Sequence, residues 1–200
     1  MSIYYVSQQG LDTNDGLTPE TAWKTIDKVN ATVKASDEIR FRRGDTFYGR
    51  IDTPNGTDPE KPTVYTSYGE GARPVISAYK VIRKGAWTKH ADNVYKIDLT
   101  NTELFDGCVD DNGNAGIIKA DGKLYGNKLF ALDALAKQWD FYTSDEDNKT
   151  LFVYSEKCPD EIADEIKICC RTACLTVHNC VRVTELAFIG SAHAVSTEAL

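Results

Sequence analysis

Three sets of residues in this chain have the types and spacing to do chemistry. Asp12, Asn14 and Asp15 lie in the glycine-bounded loop Gly10-Leu-Asp-Thr-Asn-Asp-Gly16, where their oxygens could gather around a calcium ion. The spacing is not that of a full EF-hand loop, and local bonds that hold a tight turn are the competing reading. Arg40 and Arg42 alternate along Glu38-Ile-Arg-Phe-Arg-Arg43 and, with Arg50, could form a strip complementary to an acidic ligand. A solvated strand face is the plainer alternative. His193, in Gly190-Ser-Ala-His-Ala194, could serve as a general base or bond a ligand hydroxyl, against the reading of a turn histidine bonded to backbone. His90 and His178 read as structural. Trp87, Trp139, Tyr142 and Tyr154 offer rings that could stack on a ligand, although Trp139 and Tyr154 are better placed to fill a core.

Other clusters carry less. Asp110-Asp111 and Asp145-Glu146-Asp147 are rich in carboxylate, but adjacent acids in a strand point to opposite faces, and such loops are usually solvated. Four of the six cysteines (Cys169, Cys170, Cys174 and Cys180) fall close together. A zinc site from Cys170, Cys174, His178 and Cys180 is disfavoured, because no C-x-x-C pair exists and Cys169-Cys170 are adjacent. Thiols packed as small hydrophobes are the expected state. Met1-Ser-Ile-Tyr-Tyr-Val6 has no signal-peptide character, so the chain as written reads as cytoplasmic with reduced cysteines, or as secreted if a leader was removed.

The elements that must position these groups read mostly as short strands. Ile3–Ser7 alternates, as does Glu38–Arg43 with Ile39 and Phe41 inward and Arg40 and Arg42 outward. Thr46–Ile51, Thr63–Tyr68 and Val75-Ile76 follow, separated by turn residues. One helix is expected early, with Thr18 as N-cap, Pro19 in its first turn, and Trp23, Ile26, Val29 and Val33 as its apolar stripe through about Lys34. From Val81 the style shifts to antiparallel-type strands at 94–99, 117–118, 123–125, 139–142 and 150–154, with a short helix over 131–137. Residues 101–165 hold 15 acids against 6 bases, whereas the remainder is slightly basic, which suggests two bodies. After Pro159, Leu175, Val177, Val181, Val183, Leu186 and Phe188 are expected inward, with a polar turn at His178-Asn179, as in a parallel solenoid rung.

Composition sets the outer bounds. Two hundred residues with 42% hydrophobic content, ten Tyr, seven Phe and three Trp supply a core and exclude disorder. The net charge of -7 argues against a nucleic-acid partner, and no apolar run is long enough to span a membrane.

Several stretches resemble a known group. Tyr4-Tyr-Val-Ser, Asp15-Gly-Leu-Thr-Pro-Glu-Thr-Ala-Trp-Lys-Thr-Ile26 and Asp37-Glu-Ile-Arg-Phe-Arg-Arg-Gly44 resemble the N-terminal cap of right-handed parallel β-helix, pectate-lyase-like proteins. Tyr68-Gly-Glu-Gly-Ala-Arg-Pro-Val-Ile76 looks like their first-coil motif. Trp139-Asp-Phe-Tyr142 with Leu151-Phe-Val-Tyr154 resembles the β-sandwich insert of several β-helix glycosidases and lyases, including certain β-xylosidases. Val181-Arg-Val-Thr-Glu-Leu-Ala-Phe188 is similar to the coil after that insert.

The resemblance implies an all-β fold: a right-handed parallel β-helix segment with one capping helix and an inserted antiparallel subdomain. The divisions expected are 1–80 for cap and first coil, 81–165 for the insert, and 166–200 for the returning coil. It implies a carbohydrate partner, which makes Arg40, Arg42 and Trp87 candidate sugar-binding residues, His193 the candidate catalytic group, and calcium the one cofactor to consider. Family members usually continue for further coils that carry their catalytic groups. The expectation is therefore the N-terminal portion of a glycoside hydrolase or polysaccharide lyase, incomplete as a catalyst alone, its last rung covered by missing coils or a second copy. A glycan-binding module, or a piece of a phage spike or adhesin, is the alternative.

Overall fold

The computed structural model describes residues 1–108, 114–144, 149–170, 173–191 and 195–197. The chain is mostly β and divides into two compact units. The first comprises residues 1–77 with 173–189 and 195–197; the second comprises 78–170 with Gly190 and Ser191.

In the first unit, β1 (Ile3–Val6) pairs in parallel with β2 (Glu38–Arg42), Val6 opposite Phe41. A loop and α1 (Ile26–Thr32) join them. β3 (Thr46–Tyr48) and β4 (Ile51–Asp52) follow, each in a different sheet. β5 (Thr63–Tyr68) then returns beside β2, and β6 (Val75–Ser77) beside β3, both parallel.

The second unit contributes β7 (Tyr79–Ile82), β8 (Thr88–Ala91), β9 (Val94–Asp98), β10 (Phe105–Gly107), β11 (Ala115–Ala120) and β12 (Lys123–Tyr125). After these come β13 (Phe141–Thr143), β14 (Thr150–Tyr154), α2 (Pro159–Ile162) and β15 (Ile166–Cys170). They build two antiparallel sheets, ordered β10-β7-β15-β11-β12 and β13-β14-β9-β8. Both sheets feed one core: Ile82, Phe105, Ile118, Ile166 and Ile168 from the first, Ile97, Phe141, Leu151 and Val153 from the second. That is the packing logic of a sandwich.

The chain then re-enters the first unit through β16 (Leu175–Val177), β17 (Val181–Val183), β18 (Ala187–Ile189) and β19 (Val195–Thr197). β16 lies parallel to β4, β17 to β5, β18 to β6 and β19 to β16. The three parallel sheets are thus visited in the same cyclic order three times: β2-β3-β4, β5-β6-β16 and β17-β18-β19, with β1 as an extra strand beside β2. The second unit enters the sequence between β6 and β16.

Alternation explains the interior. Ile39, Phe41, Phe47, Ile51, Tyr65 and Ile76 are fully or almost fully buried, and the Phe41 and Phe47 rings meet edge to face at 5.0 Å. Register aligns them in rows, Tyr4-Ile39-Tyr65-Val183 in one sheet and Phe47-Ile76-Phe188 in another. Replacing a buried Phe such as Phe47 by Ala typically costs about 3–5 kcal/mol. On the surface, Glu185 binds both Arg43, at 2.7 Å, and Arg73, at 3.4 Å, so one carboxylate joins all three circuits.

Four expectations change. The early helix starts at Ile26 rather than near Thr18, because Thr25 accepts from the Lys28 N–H as N-cap. Trp23 is instead extended beside β1, its N–H donating to the Tyr5 carbonyl and its own carbonyl accepting from Ser7. Thr18–Thr21 closes as a turn through its two hydroxyls, 3.1 Å apart. The span expected as one strand over 46–51 breaks into β3 and β4. The strand expected at Trp139 starts at Phe141, since Trp139 holds φ 69°, and the helix expected over 131–137 is a single 3-10 turn at Leu132–Ala134. The chain leaves the first unit after Ser77 and returns to it at Ala173, and β7 and β15 pair antiparallel with each other, so both ends of the second unit lie side by side.

Two tests follow from the interior. Tyr65 is wholly buried, yet its hydroxyl has no hydrogen-bond partner among the described residues, and burial first, then the charges of Asp37 and Asp52, push its phenol far up. Tyr65→Phe removes an unsatisfied group, so urea unfolding is expected to show no loss and up to about 1 kcal/mol gained. A loss above about 1 kcal/mol would mean that the hydroxyl is satisfied in solution. All six cysteines remain thiols, with Cys108, Cys169, Cys170 and Cys174 buried and Cys158 and Cys180 half-buried. Denatured without reductant, the chain should titrate six thiols, and in the native protein Cys158 and Cys180 should react first. Recovery of fewer than six would reveal a disulfide.

Candidate functional site

The first unit carries a cleft of about 370 Å³ lined by Ser7, Gln9, Gly10, Pro19, Glu20, Arg42 and Tyr68. That volume lies at the small end of the roughly 300–1,000 Å³ range of ligand pockets. Strand register builds one wall. Arg42 closes β2 directly opposite Tyr68, which closes β5, and Ser7 follows the Val6–Phe41 pair at the end of β1. The loop between β1 and α1 builds the other wall, with Gln9, Gly10, Pro19 and Glu20.

That loop is held from within. Asp12 accepts from the N–H groups of Lys24, at 2.8 Å, and Thr25, at 3.0 Å, and from the Thr25 hydroxyl, at 2.7 Å. Thr25 in turn caps α1, so one carboxylate ties the loop to the helix start. Asp15 accepts from the Thr21 hydroxyl, at 2.6 Å, and from the Leu17 N–H, at 3.0 Å, while Asn14 donates to the Ala22 carbonyl. The Asn14 carbonyl accepts from the Trp23 indole at 3.0 Å. Gly10 is required where it stands, since a Cβ there would meet the Ala22 and Trp23 carbonyl oxygens at 2.4 Å. Gly16, at φ +73°, lies flat against the Trp23 ring, which a Cβ would strike at 2.4 Å.

The electrostatics of the cleft are uneven. Asp45 accepts through Oδ2 from the Ser7 hydroxyl and the Gln8 N–H, at 3.2 and 2.8 Å. Burial raises the Tyr68 phenol above its ordinary value; Arg42 opposes this, while Asp45 and Glu20 add to it. Arg40 stands one row away, bonded to Glu38 at 2.7 Å and to the Tyr5 hydroxyl at 3.3 Å, and lies over the Tyr5 ring. Tyr5 meets Tyr68 edge to face at 5.1 Å.

The candidates separate accordingly. Arg42 lines the cleft. Arg40 is engaged by Glu38 and Tyr5. Trp87 belongs to the second unit and is 8% exposed, within that unit's core, so no ring face is open for stacking. Asp12, Asn14 and Asp15 are together in one loop, but both Asp12 oxygens and the Asp15 Oδ1 already accept from N–H and O–H donors that calcium would have to displace. No cluster of three or more His, Cys, Asp or Glu suited to a metal occurs among the described residues. His193, Asp110-Asp111 and Asp145-Glu146-Asp147 lie outside the described residues. Tyr68, Gln9, Ser7 and Glu20 were not singled out by the sequence. A signal for Tyr68 existed, because Arg42 and Tyr68 each end an alternating run just ahead of a glycine turn.

No protein-family profile matches this chain, and no curated protein matches it by sequence. Among solved structures it is similar to XylC in complex with xylose, with a TM-score of 0.70 at 14% identity, over 96% of this chain and 36% of XylC. It is also similar to a protein described as a glycoside hydrolase, with a TM-score of 0.57 at 13% identity, over 96% of this chain and 51% of the other. The likeness is one of fold, and the chain spans about a third to a half of the length of these proteins. No helix among the described residues is long and apolar enough to cross a membrane.

The Asp12 anchor yields a pH test. Burial pushes its carboxyl up, but the bonds from Thr25 and Lys24 outweigh that and hold it below the ordinary 3.8. A depressed folded value stabilises above the unfolded one and is lost as pH falls through the folded value. Asp12→Ala should therefore cost about 1–2 kcal/mol at pH 7, discounted for partial exposure, with the difference shrinking as pH drops below 3.8. Unfolding midpoints from pH 7 to pH 2 measure it. Millimolar calcium should leave the pH 7 midpoint unmoved; a rise abolished in Asp12→Ala would assign the loop a metal instead.

Proposed function

We propose that this chain is the N-terminal portion of a carbohydrate-active, right-handed parallel β-helix protein and that its cleft binds a glycan without cleaving it. The observation that carries the reading is the triple circuit of three parallel sheets interrupted by an antiparallel sandwich, together with the fold likeness to XylC and a glycoside hydrolase. In this reading β2-β3-β4, β5-β6-β16 and β17-β18-β19 are successive coils, β1 and α1 are the cap, and 78–172 is the insert. The edge strands β17, β18 and β19 would be continued by further coils or covered by another copy.

Binding is favoured over hydrolysis by the composition of the cleft. Glycoside hydrolysis needs two carboxyl groups about 5–10 Å apart, one as acid and one as base or nucleophile. Elimination needs a base and a means of neutralising the substrate's charge. Of the seven lining residues only Glu20 is a carboxylate, and none is a histidine. Hydroxyl, amide and phenol groups from Ser7, Gln9 and Tyr68 suit a polyhydroxylated ligand, which they can meet with both donors and acceptors.

Calorimetry with xylo-oligosaccharides, beside an assay on xylan, pectin, alginate and aryl glycosides, tests this. Weak binding reduced at least fivefold in Tyr68→Ala, with no turnover by this chain, is expected. Turnover that survives Tyr68→Ala and Glu20→Gln would place the chemistry elsewhere, and His193→Ala would then identify or dismiss that histidine.

A further inference from the structure

Among the described arginines, Arg42 is set apart by what it lacks. Arg40 is bound to Glu38, Arg43 and Arg73 to Glu185, Arg50 to Asp52 and Arg83 to Asp106. Among the described residues, the Arg42 guanidinium has neither a hydrogen-bond acceptor nor an ion-pair partner, although it is half-buried in a cleft. Arg182 also lacks a carboxylate, but it stands exposed on the middle of β17, where water serves it. Asp45 uses its Oδ2 to accept from Ser7 and Gln8 and closes no ion pair to Arg42, and Glu20 lines the same cleft without closing one either.

A half-buried guanidinium loses hydration and, with no counter-charge, recovers little in return. Its planar fork of N–H donors matches a carboxylate in bidentate geometry, and the neutral groups around it offer bonds for ring hydroxyls. We infer that the cleft selects a glycan bearing a carboxylate, a uronate-type residue whose acid seats on Arg42 while Tyr68, Gln9 and Ser7 hold the ring. The inference rests on the glycan reading above and narrows it to an acidic sugar. Glu20 then has a defined effect: its charge repels the ligand's acid and sets an upper limit on affinity.

The test compares a xylo-oligosaccharide with the same oligosaccharide carrying one glucuronate, by calorimetry at low and high salt. The acidic ligand should bind at least about tenfold more tightly at low salt, the advantage falling in 0.5 M NaCl as charge is screened. Arg42→Met should abolish the difference between the two ligands, while Glu20→Gln should strengthen the acidic ligand more than the neutral one. Equal affinity of wild type for both ligands, or a preference untouched by Arg42→Met, overturns the inference and leaves glycan binding standing. Failure of wild type to bind either ligand removes the glycan reading and the inference with it. Among the described residues the Arg42 side chain makes no hydrogen bond or ion pair to the fold, so Arg42→Met should unfold with wild-type cooperativity; if it does not, Glu20→Gln decides, and no gain for the acidic ligand counts against the inference.

Discussion

The interior rows of the first unit are the constraint on which the rest depends. The parallel sheets of the first unit fill their inner faces from their own strands, so successive circuits have to present apolar side chains at the same register. Ile39 beneath Tyr65, and Phe47 beneath Ile76, meet that demand. Because side chains alternate, each inward residue forces its neighbours outward. Burying Phe41 is what turns Arg42 toward solvent, level with Tyr68. The cleft therefore follows from the core: one wall is the outer face of strands whose inner face had to be apolar.

The second wall has a different origin. The loop from Ser7 to Thr25 buries little of its own; it is shaped by Asp12, Asn14 and Asp15 bonding to nearby backbone and hydroxyl groups, with Trp23 as its apolar floor. The polar residues that looked most like ligands for an ion are the ones that fold the loop. The lining residues Gln9 and Glu20 are presented as a result, by a scaffold that uses its carboxylates internally.

What could be read from the sequence tracks the range of the interactions. Thr63–Tyr68, Thr150–Tyr154 and Lys123–Tyr125 have the expected bounds, and Ile39 and Phe41 point inward as alternation requires. These depend on local pattern alone. The helix start was misplaced because Trp23 fits a helical stripe equally well until its pairing with Tyr5 and Ser7 is known. Likewise, the pairing of β15 with β7 joins residues 84 to 90 positions apart, which no local pattern can show. Arg42 was visible as an outward cation, but its lack of a partner was not, since that requires knowing where Glu38, Asp45 and Glu20 are directed.

Glu185 gives the fold a mechanical property. It takes a left-handed conformation, φ 58°, after β17 and reaches Arg43 beyond β2 and Arg73 ahead of β6. Three successive circuits are thus pinned at one point on the outside, while the ladders pin them along the strands. Tension applied along the stacking direction would load the ladders between neighbouring circuits one after another, but it would load this clamp across all of them at once. The clamp acts as a staple against peeling: an edge circuit cannot lift away without also straining its links to the two circuits behind it.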